Sequence, residues 1–530
     1  MRDDEEGSRA MPLTTVTDLI DRFWRRVRSA PTQRHAEPSP TPPAPETKLL
    51  PVEILVDNFH AVTSALTAEG IASWLISDET SIRSIVGIMA SDRAAFGRSL
   101  GRLADRGYWV RLPDKTRPEA PLSTFDHSEL VKLSTVFVLF KRYTVAGSDL
   151  LIRGDYSCEV ELWESETVNG AEYLMAPREN RAARQLAAEG FDLATTTWHG
   201  VEALTPRVLL DRMIDDVTFP IDVVYTWVDG SDPRWREKRA RAEAEATGLE
   251  FHPEATIASR FADHEELRYS LRSLEYFAPW VRKIYLVTDD QVPAWMDTTN
   301  PKIQVVDHRD IFTNPANLPT FNSNAIISSL HHIEGLSEHY IFMNDDVFLG
   351  RWVTPDRFFT PSGLAKAFAS YNRRPFAPAR VEDEPHLNLT RNIRQLLRER
   401  FGITVSRAIK HTPHPQLRSV QYEIEDAFRA RYEQTSSHPF RHHDDIAADQ
   451  LFHYYGQITG QAVAGSSRYE YINTKDSGDR GQLHDLNKKH NRDFFCLNDT
   501  PLLDVDPMTD EEITKFLTAY FPLPSSFEKG

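Results

Sequence analysis

The sequence predicts an α/β protein built on a mostly parallel sheet with helices on both faces, preceded by a smaller α+β domain. Three observations carry that expectation. Short apolar runs, "IDVVYTWV" from Ile221, "KIYLVT" from Lys283, "IQVVD" from Ile303 and "YIFMN" from Tyr340, read as strands buried on both faces. Amphipathic stretches separate them: "DHEELRYSLRSLEYFAPW" puts Leu267, Leu271 and Leu274 on one helical face, and "NSNAIISSLHHIEGL" reads as a helix. Each run also stops at acids, namely Asp229, Asp289 with Asp290, and Asp345 with Asp346. In open α/β sheets the ligand site lies beyond the carboxyl ends of the strands, where these acids fall.

The elements follow in order. With 530 residues, the chain is long enough for two or three domains, and 40% hydrophobic content fits a folded protein. Residues 1–30 hold "VTDLIDRFWRRVRSA", an amphipathic helix with Val16, Leu19, Ile20, Phe23 and Trp24 on its apolar side and four arginines alongside. A helix of this kind lies in a membrane interface or docks on protein, and both readings stay open. Residues 31–51 form a proline-rich linker. Residues 52–215 mix helices and strands, including "STVFVLFKRYT" and "CEVELW", without a catalytic constellation. Residues 216–530 hold the parallel sheet and close on "MTDEEITKFLTAYFP", where Thr509 and Glu512 have the spacing of a capping box.

A net charge of −17 argues against nucleic acid as a partner. Two distant cysteines, Cys158 and Cys496, match no zinc or redox spacing, and so few in so long a chain point to the cytoplasm. No signal peptide opens the sequence, and no run reaches the roughly eighteen apolar residues of a membrane span.

Chemistry concentrates in a few places. Asn344, Asp345 and Asp346 interrupt "YIFMNDDVFLG", where burial of charge is costly unless compensated. Side chains alternate along a strand, so both acids face one site only if the strand ends there. They would then suit Mg²⁺ or Mn²⁺, which could bridge diphosphate oxygens. A polar turn is the bland alternative. Asp222 begins its strand and reads as structural, whereas Asp229 is a candidate for the ribose or the metal shell. One or two of Arg260, Arg268 and Arg272 could grip phosphate, although for any single one a solvated helix face is the commoner role. Seven of the nineteen histidines lie between residues 386 and 453. In "KHTPHPQLRS" the prolines forbid a regular helix around His411 and His414, and a loop-held histidine suits a general base, although for any one histidine a structural role is the commoner one. In "FRHHDDIAADQLFHYY", Arg441 could clamp a transferred phosphate, and Asp444 or Asp445 could cap the helix that follows.

The segments "IDVVYTWVDGSDP", "RFADHEELRYSLRSLEYFAPWVRKIYLVTDDQVPAW", "LPTFNSNAIISSLHHIEGLSEHYIFMNDDVFL", "KHTPHPQLRS" with "FRHHDDIAADQLFHYY", and "FFCLND" occur in that order. They resemble the conserved blocks of the Stealth family of bacterial capsular and exopolysaccharide hexose-1-phosphate transferases, which also includes the animal N-acetylglucosamine-1-phosphotransferase. Length and front domain resemble the actinobacterial exopolysaccharide branch. The resemblance implies a glycosyltransferase-A-like sheet and transfer of a hexose-1-phosphate or N-acetylhexosamine-1-phosphate. The implied donor is a UDP-sugar, the acceptor a hydroxyl of a glycan or lipid-linked glycan, and the by-product UMP. It also implies that Asn344 and Asn498 belong to the donor site, to which the residue reading adds Asp229, Arg268 and Arg272. Asp345, Asp346 and Asp499 would hold the metal, and His411, Arg441 and Asp346 would carry the chemistry. An ordinary glycosyltransferase releasing UDP and a non-catalytic glycan-binding protein are the rival readings. The implied location is the cytoplasm, or the inner face of the cell membrane if the N-terminal helix binds lipid.

Overall fold

A computed structural model describes residues 46–47, 49–78, 81, 83–113, 119–145, 151–189, 191–246, 265–381, 383, 385–499 and 507–529. The amphipathic helix expected before residue 30 lies outside the described residues.

Residues from Pro51 onward build a mixed eight-stranded sheet packed by the helices Pro51–Thr67 and Arg93–Asp105. Leu55, Phe59, Val62, Phe96, Leu100, Phe137 and Val160 form its core. Within the long strand Cys158–Val168, the carboxylates of Glu159 and Glu161 are buried and both are bound by Arg178.

The second sheet contains the strand ends singled out in the sequence. Its parallel strands are β1 (Ile221–Thr226), β2 (Lys283–Thr288), β3 (Ile303–Asp307) and β4 (His339–Asn344). After β4 come a short β5 (Val347–Leu349), a ribbon of β6 (Ala369–Arg373) and β7 (Arg407–Ile409), and β8 (His414–Leu417). The order is β3-β2-β1-β4-β8, with only β8 antiparallel. The register sets Thr226 opposite Asn344 on one side and Val287 on the other, so β1, β2 and β4 end level. Val223 and Tyr225 pack against Leu267, Leu271 and Leu274 of α1 (Glu266–Phe277). On the other face Val224 and Val287 pack with Ile311, Ala325 and Leu330. Apolar residues at consecutive strand positions are therefore satisfied by helices on both sides, as the unbroken apolar runs predict.

Three further helices matter: α2 (Pro385–Phe401), α3 (Ala448–Thr459) and α4 (Asp510–Tyr520). The predicted capping box of α4 is present, with the Thr509 hydroxyl accepting from the Glu512 amide and the Glu512 carboxylate from the Thr509 amide. The stretch Asn322–Leu336 is not the continuous helix its spacing suggests. A helix covers only Ser323–Ile327, and Ser328 and Ser329 turn their hydroxyls back onto the Ala325 carbonyl. Side chains that compete for backbone carbonyls weaken a helix at that point. No helix among the described residues is long and apolar enough to cross a membrane.

Near the C-terminus, Glu528 returns to α1. Its carboxylate accepts from Arg272 Nε and Nη2, both at 2.7 Å, and from Arg268 Nε at 2.6 Å. Burial pushes the Glu528 carboxyl up, but Arg272, the Ser525 amide and Arg268 together hold it below the ordinary range. Arg272 is itself buried, so removing its partner leaves a desolvated guanidinium. Glu528→Ala is therefore expected to destabilise the fold by about 3–5 kcal/mol, and Glu528→Gln by less, in chemical denaturation.

Candidate active site at the strand ends

The site grows from the end of β4. Asn344 is the last strand residue, Asp345 and Asp346 form a two-residue turn, and β5 starts at Val347. The strand has ended where the acids begin, so the alternation of a continuing strand no longer separates them. β5 pairs with β10 (Phe494–Asn498), which runs beside β9 (Tyr469–Asn473), and Val347 faces Cys496 in that pairing. The Asp346 carbonyl accepts from the Leu497 amide at 3.0 Å, which locks the turn against β10. Asp346 Oδ2 then lies 3.4 Å from both Cys496 Sγ and Asn498 Nδ2. Tyr471, across from Cys496 on β9, donates its hydroxyl to Asn498 Oδ1 at 2.8 Å.

The other carboxylate oxygen, Asp346 Oδ1, is 3.2 Å from His411 Nε2. β8 runs antiparallel to β4 with His414 opposite Phe342, which brings the residues just beyond, Asn344 and His411, together. The Asn344 side-chain amide is 3.2 Å from the same ring nitrogen. Burial pushes the Asp346 carboxyl up, yet the His411 charge and the His411, Cys496 and Asn498 hydrogen bonds carry it below the usual range. For His411 burial opposes protonation, and Asp346 reverses this and raises its pKa. Burial also pushes the Cys496 thiol well up, with Asp346 adding to the effect, and the thiol donates to Asp346 Oδ2.

A second pair positions His411. His414 Nε2 donates to the Lys410 carbonyl at 2.8 Å, and its Nδ1 meets Asp449 Oδ2 of α3 at 2.7 Å. Both His414 and Asp449 are buried, so the turn that presents His411 is braced from the core. A glutamine amide reaches the place of Nε2 and an asparagine amide that of Nδ1. His414→Gln is accordingly expected to keep most of kcat and His414→Asn to lose about tenfold or more, the effect of releasing one hydrogen bond of ~1.4 kcal/mol, with donor KM little changed in both.

Arg441 sits on a neighbouring loop, where Nη2 donates to Ser323 Oγ at 2.7 Å. Buried Asp445 organises that loop by accepting from Asn322 Nδ2 at 2.8 Å, His438 Nδ1 at 2.7 Å and the His442 amide at 2.9 Å. Asp445 is thus a hub inside the loop and not the cap of α3, whose N-cap is Ala447. Asp229 lies in the loop after β1, accepts from the Ser231 amide at 2.8 Å, and has its backbone held by the Gln291 side chain. Asp345 Oδ1 accepts from the Asp346 amide at 3.1 Å, and Asp499 follows directly on Asn498.

Arg268 and Arg272 require a correction. Expected on donor phosphates, both are bound by Glu528, a carboxylate 256 residues beyond Arg272 that no local pattern reveals. Asp222, at the opposite end of β1, is fully buried and accepts from Arg282 Nε at 2.7 Å and the Ser337 amide at 2.7 Å, a structural role. Cys496 was read only as an unpaired cysteine. Its signal was the alternation in "FFCLND", which puts residues 496 and 498 on one side of a strand.

Three groups among the described residues bring metal-capable atoms together: His331–His332–Glu425, His442–His443–Asp444 and Asp346–His411–Cys496. In the first, burial pushes the Glu425 carboxyl up, but His331 and His332 draw it down to about 2, as in an ion pair. The third lies at the strand ends. Its ligand atoms are one carboxylate oxygen, one imidazole nitrogen and one thiol sulfur, with the Asp345 carboxylate one residue away in the same turn.

Four segments match the conserved regions of the Stealth proteins: region 1 over residues 219–246, region 2 over 260–367, region 3 over 410–456 and region 4 over 484–530. An exopolysaccharide phosphotransferase of Streptomyces coelicolor is 38% identical across 91% of this chain and 92% of its own length. The exopolysaccharide phosphotransferase CpsY of Mycobacterium tuberculosis is 32% identical across 91% of this chain and 90% of its own. Among solved structures, the galactosyltransferase LgtC covers 56% of this chain at 10% identity with a TM-score of 0.30, a likeness too low to add to the observed sheet topology.

Proposed function

The chain belongs to the Stealth family, and on that premise we propose that it is a sugar-1-phosphate transferase of exopolysaccharide synthesis. A nucleotide sugar, with a UDP-hexose or UDP-N-acetylhexosamine as the first candidates, would be the donor and a glycan hydroxyl the acceptor. The observation that carries the reading is the His411–Asp346 contact at the mouth of the parallel sheet, beside the second carboxylate of the Asp345–Asp346 turn.

With Nε2 donating to Asp346, the Nδ1 nitrogen of His411, 3.4 Å from Asn344 Nδ2, would take the proton of the acceptor hydroxyl in exchange for that contact. That oxygen attacks the sugar-bearing phosphorus, the bond from this phosphorus to the bridging oxygen breaks, and the nucleotide leaves as its monophosphate. The new bond is a phosphodiester between acceptor and sugar. Asp345 and Asp346, with Asn498 and Asp499, would hold Mg²⁺ or Mn²⁺. When bound, the ion supplies neutralisation of the diphosphate charge. Asn344, the last residue of β4, sets its side-chain amide against the His411 ring and would help orient it. Arg441, anchored at Ser323, steadies phosphoryl oxygens as charge moves to the leaving group.

Incubation with a panel of nucleotide sugars, divalent cation and glycan acceptors, followed by mass analysis, tests this reading. The expected product is the acceptor enlarged by one sugar and one phosphate. An acceptor enlarged by a sugar alone, or no turnover of any nucleotide sugar, contradicts it.

A further inference from the structure

The matched regions leave out one segment beside the base. Residues 368–409 lie between regions 2 and 3, and region 3 starts at Lys410, next to His411. This segment is the β6–β7 ribbon together with α2. β7 ends at Ile409, two residues before His411, and the Lys410 amide extends the ribbon by bonding to the Phe368 carbonyl at 2.9 Å. From Arg407 to His411 the chain spans roughly 13 Å in extended form. The ribbon is therefore a wing attached directly to the turn that presents the base.

Its surface is unlike the rest of the protein. Tyr371 and Phe376 are 89% and 67% exposed, the most exposed tyrosine or phenylalanine side chains among the described residues. Each ring lies beside an arginine: the Arg407 guanidinium is 5.4 Å from the Tyr371 ring and that of Arg394 is 4.0 Å from Phe376. Arg407 is fixed by donating to the Ser370 carbonyl at 2.6 Å, and Arg394 by the Val405 and Pro375 carbonyls at 2.7 and 2.8 Å. Exposed aromatic rings, with only two side-chain torsions each to fix, offer apolar contact area at low entropic cost. The stretch "YNRRPFAPAR", residues 371–380, also carries Arg373, Arg374 and Arg380 and no acid, in a chain of net charge −17. The next acids begin at Glu382, and among them Asp383 is paired with Arg391.

We propose that the β6–β7 ribbon is the acceptor-docking surface, and that the acceptor it fits is an anionic glycan chain joined by phosphodiesters. The inference rests on the proposed reaction, because that reaction leaves one negative charge at each linkage it makes. Tyr371 and Phe376 present rings to the apolar faces of the sugars, and Arg373 answers the phosphates along the chain. Asp346 and His411 lie inside the matched regions, whereas the ribbon falls outside them. That is where a determinant of acceptor specificity belongs.

The test uses the full chain and a synthetic oligomer of hexose units joined by phosphodiesters, with a phosphate-free oligomer of equal length as control. Binding is measured without donor, and transfer with donor. The expected result is binding of the phosphodiester oligomer that falls about tenfold or more in the Tyr371→Ala/Phe376→Ala double variant, as for the loss of a central aromatic contact. Arg373→Gln should weaken the phosphodiester oligomer and leave the neutral one unchanged, with melting temperature and donor KM held. Equal binding by wild type and variants, or no binding by wild type, overturns the docking surface even if transfer proceeds. Ribbon-dependent binding without any sugar-phosphate transfer would keep the surface and sink the proposed reaction.

Discussion

Asp346→Asn is expected to lower kcat at least about a thousandfold while leaving the protein folded, an effect of some 4 kcal/mol on the barrier. Asparagine has the shape of aspartate, and at this position it can still meet Cys496, Asn498 and His411, so the β4–β5 turn persists. What disappears is the negative charge. Three consequences follow from that single change. A hard cation loses a carboxylate ligand, the donor diphosphate loses its neutralising partner, and His411 loses the group that raises its pKa. The variant's response to divalent cation separates these consequences: a higher cation requirement with residual turnover points to the ligand role. Circular dichroism and the melting temperature should be close to wild type, because relieving a buried carboxylate does not open a cavity.

His411→Ala is expected to lower kcat by about 10² to 10⁴, the range for removing a general base, with donor KM little changed. The imidazole stands on the turn between β7 and β8 and touches Asp346 and Asn344, so its loss leaves the strand ends in place. The signature lies in the pH profile. A base must be unprotonated to act, so the wild-type rate rises as pH passes through its raised pKa. That rising limb should vanish in the alanine variant. A variant that keeps both the limb and the rate would assign the proton to another group.

The strands of the parallel sheet were legible because burial on both faces demands unbroken apolar runs, and the acids at their ends were legible because topology places them at the ligand edge. Asp346 and His411 could be named from sequence as candidates, although their contact, across 65 residues, depends on β8 lying antiparallel beside β4, a pairing that local pattern does not encode. Arg268 and Arg272 misled for the complementary reason. Their helical spacing suits a phosphate clamp equally well, and only the return of Glu528 shows where their charge is used. The brace of His414 by Asp449 and the hub at Asp445 were hidden in the same way, since a histidine or aspartate in a loop looks alike whether its partner is solvent or a buried side chain. The break after Ile327 was missed because apolar periodicity continues through it while the serine hydroxyls end the helix.

The central claim is attack at phosphorus, and it can be read from one atom. A donor carrying radioactive phosphorus only in the phosphate attached to the sugar is incubated with the protein, divalent cation and acceptor. The account predicts that the label appears in the acceptor, in a phosphodiester, while the released nucleotide is an unlabelled monophosphate. Label leaving with the nucleotide as a diphosphate would mean attack at the anomeric carbon, and would contradict it.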